Sequence, residues 1–372
     1  MRKNLGIYLH IPFCVRKCAY CDFLSAPAAE EVQRQYVEAL KQEIVQSRKL
    51  KEEYQVATVF FGGGTPSLLP GEALAGILEE LRKWFCICPD AEITVECNPG
   101  TLTEEKLAWY RKAGVNRLSM GLQSAQNQEL KLLGRIHTWE EFLESFRLAR
   151  AQGFANLNVD LMSALPGQNR ETWRDTLEKV LALKPEHISA YSLMVEEGTP
   201  FYDHYGEGGD GVDMLPDEDT ERQMYYDTKE LLSEAGYERY EISNYAKPGY
   251  ACRHNLSYWE RVDYKGFGIG AASLMKQIRY RNETSLEDYL AGRYAYESVE
   301  PLSHQEELEE TMFLGLRKME GVCLTEELQH VYENVFQDLE KKGLLIRQKG
   351  RVRLTDRGID VSNYALAEFL LD

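Results

Sequence analysis

From Leu5 to Met194 the chain alternates short apolar β-prone runs with helical stretches, and that alternation restricts the fold more than any other feature. The strand-like runs are Leu5–Ile11, Ala57–Phe61, Glu92–Cys97, Asn116–Gln123, Asn156–Leu161 and His187–Met194. Between them lie helical patterns at Glu30–Arg48, Gly71–Trp84, Glu104–Ala113, Ser124–Leu133, Thr138–Gln152 and Arg170–Leu183. Strands that alternate with helices form parallel sheets joined by right-handed crossovers. No G-x-G-x-x-G follows the first strand and no G-x-x-x-x-G-K-[ST] occurs, so neither a dinucleotide fingerprint nor a P-loop is present. The expected fold class is α/β, a partial (βα)6 TIM-like barrel filling residues 1–235.

The remainder differs in character. Glu196–Glu221 carries ten acidic residues and no Lys or Arg, and it includes a Gly-rich run at 206–211. It reads as a mobile excursion, followed by a helix over Pro216–Ala235. Residues 236–300 are rich in aromatics and glycine and read as a barrel extension. Residues 301–372 read as a winged-helix-like α+β domain, with helices at Glu306–Lys318 and Glu333–Lys342, a hairpin around Gly350 and a last helix ending near Leu371.

Formal net charge is −17, against a protein that grips a phosphate backbone. Residues 301–372 hold 9 Lys/Arg against 14 Asp/Glu, so the tail offers no nucleic-acid surface either. No apolar run approaches the roughly 20 residues of a membrane span, and the N-terminus lacks the features of a secretory signal. A cytoplasmic location is expected. In a reducing compartment eight cysteines suit metal ligands or buried thiols better than disulfides.

Cys14, Cys18 and Cys21 fall within eight residues, close enough to wrap one metal centre. Structural zinc takes four closed ligands, and [4Fe–4S] clusters usually take four thiolates. Here three are local, which leaves a cluster with one open iron, a zinc site completed by His10, or three incidental thiols. The spacing C-x3-C-x2-C with Tyr20 before the last Cys resembles the radical S-adenosylmethionine (SAM) superfamily. Tyr8-Leu-His-Ile-Pro-Phe-Cys14 resembles its oxygen-independent coproporphyrinogen III oxidase-like branch. The resemblance implies a [4Fe–4S] cluster on Cys14, Cys18 and Cys21. The amino and carboxylate groups of SAM chelate the open iron, and one electron cleaves SAM to methionine and a deoxyadenosyl radical.

Gly62-Gly63-Gly64-Thr65-Pro66 follows the second strand. Glycines there permit close backbone approach, and in the superfamily this segment holds the SAM amino group. Polar residues stand at successive strand ends, the face that carries function in βα barrels. The resemblance implies SAM contacts from Tyr8, Gly63, Gly64, Thr65, Glu96, Gln123, Arg135, Asp160 and Met194. Asp160 suits the ribose hydroxyls, and Arg135 suits the SAM carboxylate as a fork of donors. Leu165-Pro-Gly-Gln168 also matches, with Ala164 where relatives carry glycine.

Cys252-Arg-His254-Asn-Leu-Ser-Tyr258-Trp259 resembles a segment of the HemW-type heme chaperone branch. His and Cys both ligate heme iron, so Cys252 and His254 are candidate heme ligands. Arg253 or Arg261 is then a candidate partner for a propionate. The resemblance covers almost the whole chain. It implies a chaperone that binds heme and hands it to an unidentified acceptor protein, a membrane-associated one among the options. The alternative is oxidative decarboxylation of coproporphyrinogen III, with reduced flavodoxin or ferredoxin as electron donor. The coproporphyrinogen enzymes carry a fourth cysteine two positions after the third, where this chain has Phe23, and a longer N-terminal extension than the 13 residues before Cys14. Both departures favour the chaperone. A homodimer is compatible with the sequence, and Cys86, Cys88, Cys97 and Cys323 receive no role.

Overall fold

The computed structural model describes residues 2–371. Its first half runs β1 (Lys3–Ile11), α1 (Glu30–Gln46), β2 (Tyr54–Gly63), α2 (Gly71–Trp84), β3 (Ile87–Cys97), α3 (Glu104–Lys112), β4 (Arg117–Gln123), α4 (Asn127–Leu132), α5 (Trp139–Ala151), β5 (Leu157–Ser163), α6 (Arg170–Ala182) and β6 (His187–Ser192). The six strands are parallel and adjacent in chain order. Three of these helices start at side-chain caps: Thr103, Thr138 and Asn169. Thr138 and Asn169 each form a capping box at the N-termini of α5 and α6, satisfying amide groups that the first turn cannot pair.

Alternate residues of each strand take opposite faces. One set is apolar and fully buried under the helices: Ile7 and Leu9, Val59 and Phe61, Leu118 and Leu122, Val159 and Leu161. The other set lines the lumen and is polar or aromatic, including Tyr8, Phe60, Glu96, Arg117, Asn158 and Asp160. The strands therefore pack outward against helices and carry their chemistry inward.

The expected barrel extension is six further short strands and two short helices, divided between both edges of the sheet. After α7 (Pro200–Tyr205) and α8 (Glu218–Glu234), β7 (Glu238–Arg239) and β8 (Asn244–Ala246) add antiparallel strands beside β6. Then α9 (Arg253–Trp259) crosses back, and β9 (Tyr264–Phe267) pairs parallel to β1. β10 (Ala272–Met275), β11 (Ile278–Asn282) and, after α10 (Leu286–Leu290), β12 (Tyr296–Pro301) extend that edge. The result is a twelve-stranded sheet. The acidic excursion is folded rather than featureless: Phe201 of α7 is buried against Leu133 and Leu165, and the Gly167 amide donates to the Met214 carbonyl at 2.7 Å.

The C-terminal part contains α11 (His304–Gly315), β13 (Val322–Cys323), α12 (Glu326–Lys341), β14 (Leu345–Gln348), β15 (Arg351–Leu354), α13 (Asp356–Asp360) and α14 (Ser362–Ala367). Its helices and three-stranded sheet enclose a separate apolar core around Met312, Tyr332, Phe336, Val352 and Phe369. It meets the barrel through polar contacts. Glu310 accepts from Arg261 at 2.9 Å and Arg279 at 2.7 Å, Lys318 reaches Glu260 at 2.9 Å, and Lys229 of α8 reaches Asp356 at 2.8 Å.

Ala164 has φ +59° and is buried. A Cβ in that left-handed region costs about 1–2 kcal/mol. Ala164→Gly is expected to stabilise the protein by about 1 kcal/mol, part of the gain being lost to glycine's greater unfolded-state freedom. Chemical-denaturation midpoints measure it; an unchanged or lower midpoint refutes the strain.

Candidate cluster and cofactor site

The three-cysteine loop caps the C-terminal ends of the barrel strands. Its ends are tied together by the Ala26 amide donating to the Pro12 carbonyl at 2.9 Å and the Cys14 amide to the Ala26 carbonyl at 3.2 Å. Cys14, Cys18 and Cys21 are all free and half-buried. Among the described residues no three His, Cys, Asp or Glu side chains converge as they would on a single ion. In a cubane each thiolate takes a different iron, so the sulfurs need not converge. His10 does not complete a zinc site. It is buried, and its two ring nitrogens hydrogen-bond Tyr8 at 3.0 Å and the Leu24 carbonyl at 2.9 Å.

The glycines bring β2 hard against this loop. Gly63 has φ +109°, and a Cβ there would lie 2.5 Å from the His10 ring; one on Gly64 would lie 2.6 Å from the Phe13 carbonyl oxygen. The Gly64 amide donates to Ile11 at 2.8 Å and the Thr65 amide to Phe13 at 2.7 Å. A larger residue at Gly64 would push on the Phe13 backbone, and one at Gly63 would push on the buried His10 ring from a backbone conformation that side chains rarely adopt.

From Thr65 a hydrogen-bonded chain crosses the rim between two of the cysteines. The Thr65 hydroxyl lies 3.5 Å from Cys14 Sγ and accepts from Asn98 Nδ2 at 2.8 Å. Asn98 Oδ1 accepts from Arg135 at 2.9 Å, and Arg135 also donates to Cys18 Sγ at 3.6 Å and to the Gly121 carbonyl. Asn98 was legible only as a strand stop before Pro99; its bridging role depends on a fold that brings the ends of β2, β3 and β4 together. Gln123 closes β4 with φ +74°, a left-handed conformation rare for residues with a side chain. Strain of this kind concentrates at functional sites.

Beneath the rim, Tyr8, Glu96 and Asp160 share a lumenal cavity of about 220 Å³. Glu96 accepts from the Gly63 amide at 3.2 Å, and Asp160 accepts from Asn158 at 2.7 Å and Ser119 at 3.1 Å. Burial, then the nearby Asp160, pushes Glu96 up to about 8. Arg117, for which the sequence offered no signal, lines the same cavity while 2% exposed, and its Nε has no hydrogen-bond partner. Met194 lies two residues past β6 and is 72% exposed, so it stands at the rim without joining this network.

The expected heme ligands sit elsewhere. Cys252 and His254 begin α9, the one helix in the extension's first half, and both are buried. His254 stacks on Phe60 at 4.9 Å, and its ring nitrogens hydrogen-bond Thr58 at 2.9 Å and Tyr258 at 3.0 Å. Burial, then Arg117, pushes the imidazole down to about 3, so the ring is neutral. Cys252 Sγ faces Glu92 at 3.4 Å, and burial pushes this thiol up to about 12. Glu92 also accepts the Arg253 and His254 amides at 3.0 Å, capping α9 from another element. Neither ligand atom is offered to a porphyrin in this conformation. The adjoining cavity is smaller than the roughly 300–1,000 Å³ of ordinary ligand pockets. Arg261 is likewise committed, paired with Glu310 and Glu307 rather than open to a propionate.

Two expectations follow. An unfolded glutamate titrates near 4.3, so a folded value near 8 means that the native state holds the proton more tightly. Glu96 therefore costs nothing below the unfolded value and progressively destabilises as pH rises from there through 8. Glu96→Gln removes that slope; its denaturation midpoint relative to the parent should improve from pH 5 to pH 8, and a constant difference refutes the shift. His254→Ala orphans two hydroxyls and unstacks Phe60. It should cost about 2–4 kcal/mol by denaturation, and a loss below about 0.5 kcal/mol would overturn the structural role.

Two stretches of the chain match known families. Residues 8–180 match the radical SAM superfamily and residues 302–361 the HemN C-terminal domain. The heme chaperone HemW of Lactococcus lactis is 35% identical over 100% of this chain and 99% of its own length; that of Bacillus subtilis is 35% identical over 98% of each. HemW of Escherichia coli is 42% identical over 72% of this chain and 69% of its own. Coproporphyrinogen III oxidase (HemN) of E. coli superposes with a TM-score of 0.84 over 99% of this chain and 90% of its own at 23% identity, a likeness of fold. With relatives matched from end to end, this chain belongs to the HemW family of the radical SAM superfamily.

Proposed function

We propose that this chain is a heme chaperone, which binds heme and passes it to an acceptor protein, and which carries a [4Fe–4S] cluster on Cys14, Cys18 and Cys21 with exchangeable SAM. The carrying observation is the end-to-end match to relatives that bear that name. The position that is cysteine in the coproporphyrinogen enzymes is Phe23 here, 62% exposed beside the cluster loop, which supports the same reading.

The donor set fits the cofactors. Three half-buried thiols lie on one loop, and Arg135 directs a guanidinium donor at Cys18 while its Nε has no partner among the described residues. Thr65, Asn98 and Gln123 line the approach, and Tyr8, Glu96 and Asp160 form the floor. When bound there, the cluster and SAM supply one-electron chemistry or a closed iron coordination shell. The chaperone reading requires only the second.

The test is anaerobic reconstitution followed by hemin titration, transfer to apomyoglobin as a probe acceptor, and incubation with coproporphyrinogen III, SAM and a reductant. Heme binding and transfer without protoporphyrinogen formation are expected. Turnover of coproporphyrinogen III overturns the reading in favour of the decarboxylase, and failure to bind hemin overturns it outright. Cys14→Ala should lose the cluster's iron and its visible absorption; retained stoichiometry refutes the ligand assignment.

A further inference from the structure

Hemin needs an accessible axial ligand, cations for two propionates and an apolar wall. Those requirements meet at the pole of the barrel opposite the cysteine loop. A cavity of about 530 Å³ opens there between the residues that precede β1, β2, β3 and β4. Cys86 and Cys88 both line it, half-buried and free.

We propose that this cavity is the heme-loading site, with Cys88 as the axial iron ligand. The inference rests on the chaperone reading and adds where the cargo sits.

The backbone is built to present that thiol. Val56 of β2 pairs with Ile87 of β3, yet two residues later Thr58 pairs with Glu92. Residues 88–91 thus stand opposite Ala57 alone and loop out of the ladder. Pro89 has no amide to rejoin it. Cys86 already accepts from Arg2 at 3.7 Å, whereas no side chain among the described residues hydrogen-bonds Cys88. Ligation of ferric iron would release the Cys88 thiol proton to solvent.

The charges fit an anionic porphyrin. Arg2, Lys51 and Arg82 converge on the cavity in a chain whose net charge is −17. The neighbouring carboxylate, Asp90, lies 3.7 Å from the Arg253 guanidinium, which also donates to the Asp90 carbonyl at 2.7 Å. Phe85, Ile87 and Ile93 supply the apolar wall. An open cavity with exposed cations suits a cargo that must leave again. Through Arg253 and Glu92, α9 also fastens the loop that carries Cys88, without touching heme.

Hemin titration of the full-length, cluster-loaded protein tests the site, with Soret position and low-spin ferric resonance as reporters of a thiolate ligand. Cys88→Ser should abolish the thiolate signature and weaken binding about tenfold or more. Lys51→Ala with Arg82→Ala should weaken hemin while leaving the signature of the bound fraction intact. Cluster iron and circular dichroism confirm that each variant folds. An unchanged signature and affinity in Cys88→Ser overturns the proposal, as does a signature lost only in Cys252→Ala or His254→Ala. Parent protein that binds no hemin overturns the chaperone reading instead.

Discussion

Six parallel strands cannot close on themselves; small closed barrels take about eight. Left alone, β1 and β6 would be open edges, each with a row of unpaired backbone groups. Everything between residues 236 and 300 answers that constraint. β8 pairs with β6, β9 pairs with β1, and α9, which links them in the chain, packs against β2 and β3. The insertion is therefore part of the barrel wall, and Glu92, which caps α9 from β3, is the pin that holds it.

Closing the wall makes the lumen a buried polar compartment, in which each donor must be answered. Asn158 is its hub: it donates to Ser119 and Asp160, while its carbonyl oxygen meets His187 at 2.6 Å and Ser189 at 3.2 Å. His254 joins the same compartment from α9. The residues that look most like chemistry in the sequence are thus partly the price of enclosing a polar interior. Arg117 and Thr94 are two of the groups left without a complete answer among the described residues.

The parallel half was legible because each strand is an apolar run long enough to be buried on its outer face and each helix shows its own period, with side-chain caps at Thr103, Thr138 and Asn169. Gly71–Trp84 was placed to the residue. The short strands β7 to β12 escaped because two to six residues show no period, and their stability comes from the edge they cover. α9 escaped for a related reason. Cys252 at its N-cap makes no side-chain capping bond, and the carboxylate that caps it instead lies far away in the chain. The motif was visible in the sequence, but its burial was not. Of the candidate site, the cysteines, glycines, Glu96, Arg135 and Asp160 were readable as strand-end polar groups. Asn98 and Arg117 were not, since their partners belong to other strands.

The pairing of Gly6 with Tyr264 joins two segments that leave the ribosome far apart in time. At roughly 5–20 residues per second that interval is on the order of 10–50 s. Throughout it, β1 can have β2 on one side and solvent on the other, and the polar lumen stands open beneath the cysteine loop. Synthesis order thus leaves a window in which the loop's thiols and the lumen are more accessible than they will be once α9 and β9 dock.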